Sequence, residues 1–395
     1  MLVCRYARFH FCSHRTARID RNSLRKVASE CRCTAASALL RERTHTDTRY
    51  SHLVRIMQSL IAALLFGARV AAQKPQLAQT PPMGWMSWEV FRCEVDCAKN
   101  PDACINERLY KQMADALQTD GYVAAGYKTI SIDDCWESGT PGVLRRPGEP
   151  LQMNASRFPS GPKALADYIH ARGAKFGIYS DEGTQTCQGY YGSRGYEDLD
   201  ARTFASWGVG VRCPDAAYRF YGVDALITQV DYLKLDGCNN DAQGFATGYP
   251  AMGRALQKSG RDIVYSCSWP AYIGDDEGAK PYDAMADAGC HLWRNWHDVQ
   301  CEWSSVRTIM NHWGNNSVAL EEAAGPGRWN DPDMLLAGND CVTDDEATTQ
   351  FVVWSIVAAP LIMGNVASCV LRFAWVTSAT IDASPRRTYA KCQPR

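Results

Sequence analysis

Eight short apolar runs alternate along this chain with stretches of helical period. The runs are Met83–Trp88, Tyr127–Asp134, Lys175–Asp181, Tyr232–Asp236, Ile263–Trp269, Leu292–Asp298, Trp329–Leu335 and Pro360–Gly364. Between them the spacing predicts helices over Glu107–Gly121, Pro162–Gly173, Ala201–Trp207, Ala246–Gly260, Trp303–Trp313 and Asp344–Ala359. In the first of these, Leu109, Met113 and Leu117 recur at helical spacing. Strands separated by helices in this way predict an α/β chain folded as a (β/α)₈ barrel. Polar groups gather at the strand ends: Asp133, Asp134, Asp181, Asp236, Ser268, Asp298 and Asp333. In a barrel these ends share one rim, and that rim carries the active site. Scattered surface acids would not keep to strand ends.

The fourth run, within Asp231–Cys238, is the most informative. Lys234 and Asp236 stand two residues apart, so a strand points both to one face. Two charges on one face of an apolar strand are costly unless they pair or serve a site. Alone, the run also reads as an ordinary strand end with a solvated carboxylate before a glycine turn. The other strand-end acids favour a site.

A chain of 395 residues has room for one large barrel or two ordinary domains. The net charge of −1 gives no electrostatic case for nucleic acid. The 12 Trp and 18 Tyr offer flat faces that suit sugar rings, and also fill cores. The 17 Cys suit an oxidising compartment. Residues 1–56 are rich in Arg and lack a sustained apolar period. Met57–Gln73 holds a short apolar run ending in small residues, the pattern of a secretory signal. It is too short to span a bilayer comfortably, and Arg69 interrupts it. The expected division is therefore upstream sequence over 1–56, a signal over 57–73, a barrel over 74–365 and a divergent tail over 366–395. An Arg-rich organelle presequence is the competing reading of the first segment, and the cysteine usage argues against it.

Carboxylates on one rim with Trp and Tyr between them suit glycoside hydrolysis. That reaction needs one group to protonate the leaving oxygen and a second to attack or to activate water. Asp133-Asp134 and Asp331-x-Asp333 could instead ligate a hard cation. The chain lacks a loop of alternating oxygen ligands and a His pair at zinc spacing, so neither a metal nor a cofactor is expected.

The motifs themselves carry a resemblance. They are Pro82–Glu89, Ile132–Trp136, Gly177–Asp181, Lys234–Cys238, Tyr265–Tyr272, Trp293–Asn295 followed by Asp298, and Gly325–Met334. In this order they resemble glycoside hydrolase family 27 of clan D, the α-galactosidases and α-N-acetylgalactosaminidases, over roughly Gln79–Gly364. The resemblance implies a retaining mechanism with Asp236 as nucleophile and Asp298 as acid and then base. Their carboxyl groups are then expected about 5–5.5 Å apart. It implies that Asp133 and Asp134 accept from the sugar O4 and O6 hydroxyls. Lys234 reaches the O3/O4 side, Arg294 lies near O2, and Asp333 lies near the base of the ring. Trp88, Tyr179, Tyr272 and Met334 form apolar walls, although core packing explains Met334 equally well.

The family divides in the loop after the fifth strand. Animal-type α-galactosidases carry Glu and Leu where this chain has Ser268 and Ala271. The smaller pair leaves room for a 2-acetamido group, which resembles the α-N-acetylgalactosaminidase branch. The expected partners are glycoconjugates ending in α-linked N-acetylgalactosamine or galactose, with no membrane span and a lysosomal or secreted location. A homodimer is carried as an expectation. A catalytically silent sugar-binding homologue is the alternative function.

The resemblance also pairs Cys93 with Cys135, Cys97 with Cys104, Cys187 with Cys238, and Cys267 with Cys290. Cys301 and Cys341 follow strands six and seven, where adjacent rim loops could join them. Asn154-Ala155-Ser156 and Asn315-Asn316-Ser317 are glycosylation acceptors. Two departures stand out. About twenty extra residues intervene near Gly210–Val230, where a translated intron on the barrel's bottom face is expected. From Val366 onward the family pattern stops, so its last helix and C-terminal β-sandwich are expected to be missing.

Overall fold

The computed structural model describes residues 77–207 and 230–366. The expected extension, signal, insertion (save Val230) and tail beyond Val366 lie outside the described residues. Eight strands form: β1 Met83–Met86, β2 Thr129–Ser131, β3 Lys175–Asp181, β4 Val230–Asp236, β5 Val264–Cys267, β6 Leu292–Arg294, β7 Trp329–Asp331 and β8 Leu361–Met363. Neighbours pair in parallel, in the order β7-β6-β5-β4-β3-β2-β1-β8. The ring closes just past β7, where Leu335 bridges in parallel to Met363. There the Leu335 N–H donates to the Ile362 carbonyl at 2.8 Å. This is the (β/α)₈ barrel that the strand–helix alternation predicts.

Each strand is apolar because it is covered on both sides. Trp85, Ile130, Ile178, Leu233, Leu235 and Trp293 are fully buried. Glycine is required at position 84, where a Cβ would lie 2.2 Å from the Thr129 carbonyl oxygen on the adjoining strand. The helices lay their apolar stripes on this barrel. The helix Glu107–Thr119 buries Leu109, Tyr110, Met113, Ala114 and Leu117, and its Asn106 cap accepts from the Leu109 N–H at 3.0 Å. The helix Asp344–Ile356 opens with a capping box between Thr343 and Glu346.

Several predicted elements change their bounds. The second strand stops at Ser131 and the sixth at Arg294, so Asp133, Asp134 and Asp298 stand on the loops beyond. Past Arg294 the ladder is lost because side chains take over: Asp333 accepts from the Val299 N–H at 2.8 Å. The seventh strand likewise ends at Asp331, and Trp88 begins a short helix instead of ending β1. The helix expected over Ala201–Trp207 runs over Glu197–Ser206. Helices over Trp88–Phe91, Tyr122–Ala125, Tyr282–Asp287 and Ser317–Ala323 were not predicted, since two turns or fewer show no readable period.

Candidate active site

The β3 and β4 registers set two acid-bearing tips side by side, pairing Tyr179 with Lys234 and Asp181 with Asp236. Lys234 is the hub. Its ammonium donates to Asp133 Oδ2 at 2.8 Å, lies 3.9 Å from Asp236 Oδ2 and stands 5.2 Å from the Tyr179 ring centroid. Burial draws the Lys234 pKa down, but Asp133 and Asp236 outweigh it and raise it overall. The lysine therefore stays charged. Burial raises Asp133 despite the lysine beside it. Charges buried this way need partners, and Asp133 Oδ1 also accepts from the Asp134 N–H at 2.8 Å.

Asp236 ends β4 with its side chain 16% exposed. Its Oδ1 accepts from the Tyr272 hydroxyl at 2.5 Å and from the Gly237 N–H at 3.2 Å. Glycine follows because a Cβ at 237 would meet the Tyr272 ring at 2.9 Å. The Cys187–Cys238 disulfide clamps this turn, and the Tyr272 hydroxyl lies 3.3 Å from Cys238 Sγ.

Asp134 is buried beside Asp133, accepting from the Cys135 N–H at 2.6 Å and the Gln188 N–H at 3.0 Å. Burial first, and the Asp133 charge second, push its carboxyl up to about 7. Cys135, directly after it, adopts a positive φ of 74°, a left-handed conformation unfavourable to residues with a Cβ. Asp333 is similar, with φ 86° and its N–H donating to Asp331 Oδ1 at 2.8 Å. Backbone strain of this kind clusters at functional sites.

On the opposite side of the rim, Arg294 bridges Asp298 Oδ1 at 2.9 Å and Asp333 Oδ2 at 3.2 Å. Asp298 is 62% exposed at its side chain. Partial desolvation acts to raise its pKa, but Arg294 and then Lys234 prevail and hold the carboxyl below the usual range. Arg294 itself is buried, and its Nε finds no partner among the described residues. The same holds for the buried Ser268 Oγ. Unpaired buried polar atoms at a rim point to groups awaiting a ligand. Ser268 opens the 3₁₀ turn Trp269–Tyr272, which carries Ala271 and presents Tyr272, 38% exposed. Trp88 is half-buried with the Arg92 guanidinium 5.5 Å from its ring, and Met334 is buried.

Three acids near this rim had no catalytic or sugar-binding role assigned from sequence, although Asp181 stood among the strand-end polar groups and Asp331 in the candidate cation motif. Asp181 accepts from the Gly183 N–H at 2.7 Å and the Cys238 N–H at 3.0 Å, supporting the turn after Asp236. Asp331 is buried, and burial raises it to about 6. Glu89 is buried beside Trp88, accepts from Arg92 at 3.0 Å and is pushed up to about 8, chiefly by burial. Glu89 was visible inside the Trp88-Glu89 motif, and the adjacent tryptophan was the only signal of its burial.

Among the described residues five cysteine pairs form, Cys93–Cys135, Cys97–Cys104, Cys187–Cys238, Cys267–Cys290 and Cys301–Cys341, as expected. Among the described residues, the grouping with metal-ligand spacing is Asp181, Cys187 and Cys238, and both sulfurs belong to one disulfide. No described helix is long and apolar enough to cross a membrane.

The family model described as alpha galactosidase A (Melibiase_2) matches residues 80–226 and 213–372. The chain belongs to this family. Chicken alpha-N-acetylgalactosaminidase is 46% identical over 73% of this chain and 65% of its own length. Human alpha-galactosidase A is 42% identical over 73% of this chain and 61% of its own length. The chain thus spans less than two thirds of the length of either relative. The crystal structure of alpha-galactosidase I from Mortierella vinacea is 32% identical, with a TM-score of 0.59 over 75% of this chain and 69% of that one.

Proposed function

We propose that this family member is a retaining exo-glycosidase that removes terminal α-linked N-acetylgalactosamine, and also galactose, from glycoconjugates. The observation that carries the reading is a pair of rim carboxylates in contrasting surroundings. Asp236 is recessed among Lys234 and Tyr272, whereas Asp298 is exposed and tied to Arg294. Asp236 attacks the anomeric carbon as Asp298 passes its proton to the departing oxygen, so the C–O bond to the aglycone breaks. Water then gives a proton to Asp298 and attacks the same carbon, and the bond to Asp236 breaks. Two inversions retain the α configuration. Arg294 holds the unliganded Asp298 carboxyl below its usual range, so the carboxylate form that later takes the proton from water is the favoured one.

The sugar is taken by Asp133, Asp134 and Lys234 on its O3, O4 and O6 side, by Arg294 and Asp333 on the other, and by the walls Trp88, Tyr179, Tyr272 and Met334. Ser268 offers its unpaired hydroxyl to a 2-acetamido group, and Ala271 leaves room for the methyl. An open cavity of about 720 Å³ beside Gly237, Cys238, Phe245, Tyr272 and Ile273 leaves space for the rest of the glycoconjugate. The disulfides fit passage through the secretory route to a lysosomal or secreted location. A homodimer belongs to the same reading, and light scattering tests it.

A 5-fluoro α-glycosyl fluoride is expected to trap a covalent adduct on the peptide holding Asp236. Turnover of the α-glycoside with no adduct, or with inverted product, would overturn the retaining mechanism. Binding of the sugar without any turnover would favour the silent sugar-binding protein.

A further inference from the structure

The exposed Asp298 is held by one side-chain ion pair, so its position depends on the turn Asn295–Val299 that carries it. Both ends of that turn are fixed. Asn295 Nδ2 donates to the Tyr282 hydroxyl at 2.8 Å and to Asn330 Oδ1 at 3.0 Å. The Val299 N–H donates to Asp333. The middle of the turn is held by Arg294, whose guanidinium donates to the Trp296 carbonyl at 3.3 Å and the His297 carbonyl at 3.1 Å, and by a stack of rings. The Trp296 indole stacks on the His297 imidazole, centroids 4.2 Å apart at 9°, and on the His312 imidazole, 4.0 Å apart at 4°. Its Nε1–H donates to Asp275 Oδ1 at 2.6 Å, and His297 Nε2 lies 3.6 Å from the same oxygen. The third ring is anchored in turn, since His312 Nε2 lies 2.7 Å from Glu277 Oε1. Glu277 is buried and also accepts from Lys280 at 2.8 Å and from Tyr282.

Asp275, Glu277 and Lys280 stand on the loop that follows the Ser268–Tyr272 turn. His312 belongs to the helix Trp303–Asn315. The stack therefore ties two other parts of the chain to the two residues immediately before Asp298. We propose that Trp296, with Asp275 and His312 as its anchors, is a positioning residue that sets the reach of the Asp298 carboxyl to the leaving oxygen. Trp296 itself transfers no proton. This role rests on the glycosidase reading above.

Chemistry supplies a test that a merely structural role would not pass. A poor leaving group needs the proton from Asp298, whereas dinitrophenolate departs without it. A displaced acid therefore lowers kcat/KM on an unactivated α-glycoside and spares a dinitrophenyl α-glycoside. Displacements of about 1 Å can lower rates by up to about 100-fold. We expect Trp296→Leu to reduce kcat/KM about 10–100-fold on methyl α-N-acetylgalactosaminide and less than about 3-fold on the dinitrophenyl glycoside. Azide, which attacks the glycosyl-enzyme without a base and releases Asp236, should restore kcat of the variant on the dinitrophenyl substrate as the α-glycosyl azide. Asp275→Asn, a change at a side chain 73% exposed, keeps the fold and should show the same leaving-group dependence at smaller size. Equal losses on both substrates, or none in either variant, would refute the role while leaving the glycosidase reading intact. A wild-type chain inactive on both substrates would overturn the two together.

Discussion

Replacing Glu89 by Gln should make the protein's stability less sensitive to pH. Glu89 is 5% exposed, and burial pushes its carboxyl from 4.5 to about 8 despite the Arg92 contact. A raised folded-state pKa means that the native state holds the proton more tightly than the unfolded chain. The resulting stability is fully present below the unfolded value near 4.5 and is lost as pH rises through about 8. Between pH 5 and pH 7 this linkage removes on the order of 2–3 kcal/mol from Glu89 alone. Gln keeps the shape and an acceptor for Arg92, but does not titrate. At roughly 2–4 °C per kcal/mol, the wild-type midpoint should fall about 5–10 °C further than the variant's across that range. Asp134, raised to about 7, imposes a similar slope on both proteins and cancels in the difference. Thermal unfolding followed by near-UV circular dichroism at pH 5, 6, 7 and 8 reads this out. Parallel pH profiles for the two proteins would show that burial does not hold Glu89 protonated.

Two further substitutions probe the sugar side. Lys234→Met leaves Asp133 buried without its cation, so unfolding in urea should show a loss of about 3–5 kcal/mol near neutral pH, with a smaller loss in acid once Asp133 is protonated. A loss independent of pH would contradict the pairing. Ser268→Glu with Ala271→Leu fills the space proposed for the acetamido group, so the ratio of kcat/KM for α-galactoside over α-N-acetylgalactosaminide should rise at least about tenfold. An unchanged ratio would refute the pocket argument.

Most of the barrel was legible because strands buried on both faces leave apolar runs that end where the rim begins. The limits of legibility lie at those ends. Leu292–Asp298 looks like one strand, yet β6 ends at Arg294; after a last backbone bond from the Asn295 N–H to the Asp331 carbonyl, the carboxylates of Asp331 and Asp333 organise the loops beyond β6 and β7. Lys234 and Asp236 could be placed on one face from their spacing, but the partnership of Lys234 with Asp133, 101 residues away, depends on the order of strands. Motif resemblance, rather than periodicity, singled out Asp298 from the other acids. The Trp296 stack had no signal in sequence, since His312 and Asp275 reach it from separate elements.

Asp236 and Asp298 are proposed to turn over α-linked sugars. The most direct measurement is hydrolysis of aryl α-N-acetylgalactosaminide and α-galactoside by the full chain at mildly acidic pH, beside Asp236→Ala. The expected result is measurable turnover with the α-N-acetylgalactosaminide preferred, abolished by the substitution, and a first-formed product of α configuration by NMR. Turnover that survives Asp236→Ala, or a folded chain that binds the sugar and hydrolyses neither substrate, would contradict it.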